Sequence, residues 1–235
     1  MSDAYIGPFD REPWPEQLVA HVVSPGPEPR IHGYDVAGDL ARFGGIADLA
    51  WLTLRGDLPT ADQRAAFEVA VVLLAPTHIG QAPAHAAFLS RIAGALPSAT
   101  VAIGAVGLGE LSRHERTELA PWLAWLETTE GEVPSCARAD DASPDARAAQ
   151  AWLDDQMRGW FGRGLPAQPV TRIACAHALL YRLGIRGPLV VDALCTWARL
   201  LAVAAEAQFA RAGAIRLYPA RLPDFQYVDD RGAQP

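Results

Sequence analysis

The chain has 235 residues, of which 50% are hydrophobic, and it carries a formal net charge of −7 at pH 7. This length is typical of one domain, or of one domain with a small appendage, and the frequent alanines and leucines favour helices. The negative charge and the lack of a basic stripe argue against nucleic-acid binding. No apolar stretch of about 18 residues lacks a charge or a Pro/Gly break, and the acidic N-terminus is unlike a secretion signal. We therefore expect a cytoplasmic protein without a membrane partner.

The N-terminal part is predicted to be extended. Residues 1–30 are rich in proline and glycine, and their one apolar piece, QLVAHVVS (residues 17–24), fits either a strand or a single helical turn. The first part of a helical core follows over residues 31–125, with apolar residues grouped about one turn apart. Within it, Gly44-Gly45 is expected to separate a short helix from the next one.

Further helix signals follow along the chain. Thr60 is the candidate N-cap of a helix that ends before Pro76, and Pro97 is a plausible first residue of another. The glycines of GAVGLGE (residues 104–110) are expected to let two helices approach closely, because no lysine or preceding strand accompanies them as in a phosphate-binding loop. LSRHERTEL (residues 111–119) is charged on all sides and predicts a solvated helix.

The composition changes near residue 126. Residues 126–170 are polar, acidic and proline-bearing, which predicts a linker with one short amphipathic helix. Residues 171–212 predict two long apolar helices joined by a tight Gly-Pro turn, the second part of the helical core. Residues 213–235 predict an extended C-terminal tail. The expected fold class is therefore all-α, with helix packed on helix.

The cysteines and the first histidine pair do not indicate a metal site. The three cysteines show no CxxC spacing, and buried free thiols are expected of those in apolar helices; they are Cys136, Cys175 and Cys195. His78 and His85 are seven residues apart and would share one face of a continuous helix. Gly80 and Pro83 interrupt that interval, and no acidic or cysteine ligand lies near, so no metal is expected.

Several segments match a known series of motifs in order. They are IHGYDVAGDLARFGGIADLAWLTLRGDLPT (31–60), THIGQAPAHAAF (77–88), SATVAIGAV (98–106), LLYRLGI (179–185), CTWAR (195–199) and AIRLYP (214–219). In this order they resemble the Y-R-G-Y-D-I and L-x-G-x-L-P-T, D-H-x-x-N, S-A-x-x-A-A-I-G-A-L, L-x-Y-x-x-L-G-I, F-A-I-A-R and I-R-P motifs of the citrate synthase family. The resemblance implies a citrate synthase-like helical large domain, with a strongly reduced or missing small domain as the remnant within residues 126–170.

The resemblance also implies binding residues. The family's substrate-binding histidine falls on His78, and its two carboxylate-binding arginines fall on Arg199 and Arg216, the latter reaching across the dimer interface in the family. Arginine forks suit a di- or tricarboxylate, because they bind carboxylates bidentately. His32 replaces the arginine of R-G-Y-D. His78, Arg199, Arg216 and His32 are thus the candidate substrate-binding residues.

The family's catalytic groups are altered. The histidine of the P-L-H-G-G loop is absent, and His114 is its only conceivable surrogate. Arg163 stands where the G-F-G-H histidine would be, and the aspartate of N-V-D falls on Ile173 or Ala174. Enolate formation needs a positioned base and a stabilised oxyanion. Ordinary citrate synthesis is therefore not expected, and His78 and His114 are the candidate catalytic residues.

Three hypotheses follow. The first is a divergent acyltransferase or citryl-CoA lyase-like enzyme that makes or cleaves a C–C bond of a small oxo- or hydroxy-polycarboxylate. It would require no cofactor, could use a coenzyme A thioester as co-substrate, and would have His32, His114 or His177 as substitute acid–base groups. The second is a non-catalytic homologue that binds a metabolite or pairs with an active paralogue, and the third is a structural helical module. A homodimer, or a heterodimer with a related subunit, is expected.

The binding residues also have structural explanations. His78 could be capped by a backbone group at a helix junction, and Arg216 could cap a C-terminal helix. A buried Arg199 needs a partner, for which Asp192 and Glu206, each seven residues away, are the candidates.

Overall fold

A computed structural model describes residues 17–24 and 26–213 of the chain. The chain divides into two compact units, Met1–Pro59 and Thr60–Pro235, and each is described by itself. The boundary between them lies inside the predicted first part of the helical core, residues 31–125. The predicted C-terminal tail lies outside the described residues except for its first residue, Gly213.

The N-terminal unit contains a small antiparallel sheet followed by short helices. Its elements are β1 (Val23–Ser24), β2 (Arg30–Ile31), β3 (Tyr34–Asp35), a π-helical turn (Val36–Leu40), α1 (Ala41–Phe43) and α2 (Ile46–Arg55), with strand order β1-β2-β3. The apolar piece at residues 17–24 thus ends in a two-residue strand. Gly44-Gly45 separates α1 from α2 as predicted, and the Gly45 N–H donates to Oδ2 of Asp48 at 2.8 Å, which caps the start of α2.

The C-terminal unit is helical. Its elements are α3 (Ala61–Leu74), α4 (Ala82–Ile92), α5 (Pro97–Glu118), α6 (Ala120–Thr128), α7 (Pro144–Phe161), α8 (Arg172–Arg182) and α9 (Pro188–Gln208). Helix α5 packs against α4 and α9, and α3 packs against α8. The predicted N-cap of α3 is confirmed, because Oγ1 of Thr60 accepts from the backbone N–H of Gln63 at 3.2 Å. The all-α expectation is confirmed.

The glycines of α5 do allow close helix packing, as predicted. A Cβ atom added at Gly104 would lie 2.8 Å from Cγ1 of Val203 on α9, and one added at Gly107 would lie 3.1 Å from Cα of Pro83 on α4. Both distances are shorter than ordinary carbon–carbon contact, which is about 3.5–4.0 Å. The two glycines therefore set the separation of α5 from its neighbours.

The second half of α5 differs from the solvated helix that its charges predicted. Ser112 is fully buried, and its hydroxyl donates to the Leu108 carbonyl at 2.8 Å. Glu115 and Arg116 are only partly exposed, because each forms an ion pair with a residue of α9. The buried positions Thr100, Gly104 and Leu108 recur every four residues, and Ser112 continues this face. The prediction of a fully solvated helix was therefore wrong for this face, which is buried against neighbouring helices.

Residues 126–170, predicted as a linker and small-domain remnant, contain an 18-residue helix, α7, and loops that hydrogen-bond to each other. The Ala139 N–H donates to the Pro169 carbonyl at 2.9 Å, and the Val170 N–H donates to Oε1 of Gln150 on α7 at 2.8 Å. The first bond joins the connector after α7 to the loop before that helix, and the second joins the connector to α7 itself.

The thiols of α8 and α9 are buried and free, as predicted. Burial raises the pKa of Cys175 and of Cys195 to about 12, because a thiolate is poorly solvated among apolar side chains. Cys136 is half-buried. Neither buried thiol is suited to act as a nucleophile near neutral pH.

Helix α9 is long and apolar enough to cross a membrane by length and composition, with a mean hydropathy of 1.6 over its best window. One such helix is weak evidence for a span, because core helices of soluble proteins pass the same test. Arg199 lies in the middle of α9 with its side chain 2% exposed and paired inside the protein. Of the apolar window, 28% is buried inside the protein, and the cytoplasmic location stays a prediction.

Candidate functional site

Arg199 is held by two elements that are distant in sequence. Its Nε donates to the Leu74 carbonyl at the end of α3, at 3.1 Å, and one terminal nitrogen lies 2.7 Å from a carboxylate oxygen of Glu115 on α5. The predicted partners, Asp192 and Glu206, are wrong. Residues seven apart on a helix are separated by about 10 Å along its axis, whereas α5 brings Glu115 directly against the guanidinium. Asp192 instead accepts from Nε of Arg116 at 3.0 Å.

The end of α3 is bound by two guanidiniums. Arg172, the first residue of α8, donates to the Leu73 carbonyl and, at 3.5 Å, to the Pro76 carbonyl, while Arg199 donates to Leu74. The last carbonyls of a helix lack partners within the helix and attract cations. The two arginines therefore fix the segment that leads from α3 to His78.

His78 lies in the loop between α3 and α4. Its side chain is exposed, and its Nδ1 accepts from the Gly80 N–H at 3.1 Å, a backbone contact of the kind expected for a histidine at a helix junction. His85 is half-buried within α4, which begins at Ala82. The two histidines do not share a helix, as the intervening glycine and proline predicted. Among residues 17–24 and 26–213, no group of three His, Cys, Asp or Glu side chains could hold a metal ion.

His177 is the buried histidine of the C-terminal unit. It lies on α8 with 2% exposure. Burial, reinforced by the nearby charge of Arg199, lowers its pKa to about 4, against the weaker opposite effect of Asp192. The imidazole is therefore neutral at physiological pH and can give or accept one hydrogen bond at each ring nitrogen, according to its tautomer.

Positive charge exceeds negative charge around Arg199. Arg199 and Arg116 each face one carboxylate, while Arg172 donates only to backbone carbonyls. Partial burial, and next the charge of Arg199, lower the pKa of Arg172, whereas the carboxylate of Glu115 raises it. The terminal nitrogen NH1 of Arg199 is buried and has no hydrogen-bond partner among the described residues. This arrangement is suited to an anion.

The remaining sequence candidates lie on other elements or in exposed positions. His114 is exposed on α5. His32 belongs to the N-terminal unit, where it has a left-handed backbone (φ 46°) and is half-buried. Arg163 is exposed in the loop after α7. Arg216 lies outside the described residues.

The sequence reasoning missed Arg172, Glu115 and Arg116 of this cluster. Arg172 precedes the positions assigned to the family's missing aspartate, and Glu115 follows His114. The four-residue recurrence of buried positions in α5 ends at Ser112, and Glu115 lies three residues further on the same face. That periodicity was the available signal for Glu115, whereas no periodic pattern includes Arg172, which begins α8 after a turn-rich connector.

Comparison with known proteins identifies the fold. No family model and no curated protein matches the sequence. Among solved structures, citryl-CoA lyase from Hydrogenobacter thermophilus is 16% identical, with a TM-score of 0.57 over 92% of this chain and 99% of that chain. ATP citrate lyase from Methanothrix soehngenii, in complex with citrate and coenzyme A, is 13% identical, with a TM-score of 0.54 over 94% of this chain and 44% of that chain. The helical architecture and these two similarities together show that the chain has the citrate synthase-like fold.

Proposed function

We propose that this protein is an enzyme that cleaves or forms a carbon–carbon bond in a small oxo- or hydroxy-polycarboxylate, with a coenzyme A thioester as co-substrate. The proposal is supported by the similarity in fold to citryl-CoA lyase, of whose chain 99% is covered. The proposal differs from ordinary citrate synthesis, because the histidine and aspartate that the family uses for enolate formation have no counterparts at the matching positions.

The observation that carries the proposal is the guanidinium of Arg199. It lies at the position where the resemblance puts a carboxylate-binding arginine, it is buried, and it keeps one N–H group without a partner in the described part of the chain. A buried donor without an acceptor is costly. A substrate carboxylate at this nitrogen would satisfy it, and the charge of Arg172, which donates to backbone carbonyls, would add to the attraction.

Glu115 limits how a substrate can bind. Its carboxylate already faces the other terminal nitrogen of Arg199, at 2.7 Å and 3.0 Å for its two oxygens. A substrate carboxylate must therefore approach NH1 alone, or displace Glu115. In the first arrangement Arg199 holds the substrate by one terminal nitrogen, and in the second both terminal nitrogens are free to bind it bidentately at the cost of the ion pair.

The proposed cleavage step needs a base, and the histidines differ in how well they suit that role. A base removes the proton of the substrate hydroxyl, the bond from its carbon to the thioester α-carbon breaks, and the thioester enolate takes a proton to give an oxo-acid and an acyl thioester. His177, whose pKa burial lowers to about 4, is too weak a base to serve this step near neutral pH. The proposal assigns substrate orientation to His78 and proton transfer to His78 or His114, both of which are exposed to solvent.

An oligomer is part of the proposal, as a homodimer or as a heterodimer with a related subunit. Helix α9 exposes apolar residues at four-residue intervals, and the first half of α5 exposes others; they include Leu189, Trp197, Leu201, Val101 and Val106. A surface of this kind is typical of a protein interface. Arg216 would contribute to the site across such an interface. Size-exclusion chromatography with light scattering would test this, and a monomer of 25.2 kDa at micromolar concentration would contradict it.

The experiment that tests the function is an assay with citryl-CoA that follows the formation of oxaloacetate and acetyl-CoA. We expect cleavage by the wild type, and a loss of about 100-fold in kcat/KM for Arg199→Ala. Arg113→Ala, which removes an exposed arginine from α5, is the matched control and should retain activity. With acetyl-CoA and oxaloacetate we expect no release of free thiol.

A thermal-shift measurement separates binding from turnover. Citrate at 100 times its Kd should stabilise the native state by about 2.7 kcal/mol, and Arg199→Ala should abolish this shift. Absence of cleavage together with absence of a citrate shift in the wild type would contradict the proposal. A shift without cleavage would favour the metabolite-binding homologue instead.

A further inference from the structure

A cavity opens where α8 turns into α9, outside the site of the proposed function. Its volume is about 110 Å³. Four aliphatic side chains form its walls: Leu123, Leu180, Ile185 and Val191. The polar groups that line it are Arg116, His177, Tyr181 and Arg186. Arg199 and Glu115 do not line it, so the cavity is separate from the ion pair described above.

His177 gives this cavity one unmatched polar atom. The residue is 2% exposed, and its Nε2 is buried without a hydrogen-bond partner in the described part of the chain. Buried polar atoms nearly always have a partner, since a polar atom that loses water without gaining another bond is destabilising. A ligand with a hydroxyl group in the cavity would supply that partner, because a neutral imidazole nitrogen pairs with a hydroxyl as donor or acceptor.

The other polar groups of the cavity differ in whether their hydrogen-bonding atoms are already paired. Arg116 is occupied by the two carboxylate oxygens of Asp192, at 3.0 Å and 3.1 Å. The Tyr181 hydroxyl donates to Oε1 of Glu127 at 2.8 Å. The guanidinium of Arg186 stacks 3.8 Å from the centroid of the Tyr181 ring, and no ion pair is formed by it within the described ranges. The residue is exposed, so its charge lies at the solvent side of the cavity.

We propose that this cavity binds a short hydroxy acid, with its carboxylate on Arg186, its hydrocarbon chain along the aliphatic walls, and its hydroxyl on Nε2 of His177. The volume is somewhat below the ~150 Å³ of an engineered cavity that holds benzene, which suits a chain of about four carbons. The guanidinium selects the acid, the walls select an unbranched apolar body, and the buried imidazole selects a hydroxyl at the far end.

A set of three probes tests each part of this recognition. They are 4-hydroxybutyrate, butyrate, which lacks the hydroxyl, and 1-butanol, which lacks the carboxylate. Titration by NMR would follow the His177 ring resonances and give a Kd for each probe. We expect 4-hydroxybutyrate to shift these resonances and to bind about tenfold more tightly than either truncated probe, since each removes one hydrogen-bonding group.

Variants then assign the carboxylate contact. Arg186→Gln should weaken 4-hydroxybutyrate binding about tenfold and leave 1-butanol binding unchanged. Arg211→Gln removes an exposed arginine after α9 and should change neither. The proposal is overturned if the three probes bind equally, if 4-hydroxybutyrate at millimolar concentration leaves His177 unshifted, or if Arg211→Gln weakens binding as much as Arg186→Gln. The wild-type comparison decides the question even if a variant folds poorly.

Discussion

The ion pair between Arg199 and Glu115 makes a prediction about stability that does not depend on catalysis. The side chains are 2% and 17% exposed, so little water reaches the charges. Glu115→Ala leaves the guanidinium of Arg199 buried with its charge uncompensated. Removing one partner of a buried pair costs about 3–5 kcal/mol. Because Glu115 is partly exposed, we expect Glu115→Ala to lower the free energy of unfolding by about 3 kcal/mol, the lower end of this range.

The matched control is another glutamate of α5. Glu110 pairs with Arg113 at 2.7 Å, but these side chains are 66% and 67% exposed. Exposed pairs contribute about 0–1 kcal/mol, so Glu110→Ala should cost less than 1 kcal/mol. Urea denaturation followed by circular dichroism at 222 nm would measure both free energies of unfolding. Both substitutions replace glutamate by alanine within α5, so the change in helix propensity is the same. The difference between their free energies of unfolding therefore measures the effect of burying the ion pair.

The double variant Glu115→Leu with Arg199→Met tests whether the cost of Glu115→Ala comes from the uncompensated charge of Arg199. Apolar residues of similar size can replace a buried pair at little or no cost, so the double variant should be more stable than Glu115→Ala. The argument would be refuted by a cost for Glu115→Ala no larger than that for Glu110→Ala. It would equally be refuted by a double variant less stable than Glu115→Ala.

Three further predictions concern other parts of the C-terminal unit. The pKa of His177 is about 4 in the folded state and near 6.5 in the unfolded state, so the unfolded state takes up the proton first as the pH falls. The free energy of unfolding should therefore decrease between about pH 6.5 and pH 4, by up to about 1.4 kcal/mol per pH unit. Urea denaturation at several pH values should show a smaller decrease for His177→Gln, and an unchanged pH profile in this variant would contradict the prediction. Of the three cysteines, only Cys136 should react with a thiol reagent in the native protein, and all three should react after unfolding. Rapid reaction of more than one thiol in the native protein would show that at least one of the buried thiols is accessible. Gly104→Ala should lower the free energy of unfolding by about 1–3 kcal/mol, because the added Cβ would lie 2.8 Å from Cγ1 of Val203. Gly109→Ala should raise it by up to about 1 kcal/mol in the same assay, because the nearest atom to the added Cβ is Oγ1 of Thr196 at 3.9 Å. Equal effects of the two substitutions would argue against close packing at Gly104.

Much of the fold could be predicted because it depends on local signals. Thr60 caps α3 and Pro97 begins α5 as expected, since caps and prolines act within one helical turn. The glycines of α5 indicated close packing for the same reason: a missing Cβ is visible in the sequence. The order of the family-like motifs predicted the citrate synthase-like fold before any coordinates, because such motifs record which helices pack together.

The partner of Arg199 and the environment of His177 were decided only by the tertiary structure. The sequence showed a charged residue in an apolar helix and therefore required a partner, but its candidates came from the same helix. The partner, Glu115, lies 84 positions away and reaches Arg199 because α5 packs against α9. The neutral state of His177 likewise depends on burial and on Arg199, neither of which is local. Helix boundaries depend on neighbouring residues along the chain, whereas the pairing of buried charges depends on which helix faces meet in space, and that follows from packing the whole chain at once.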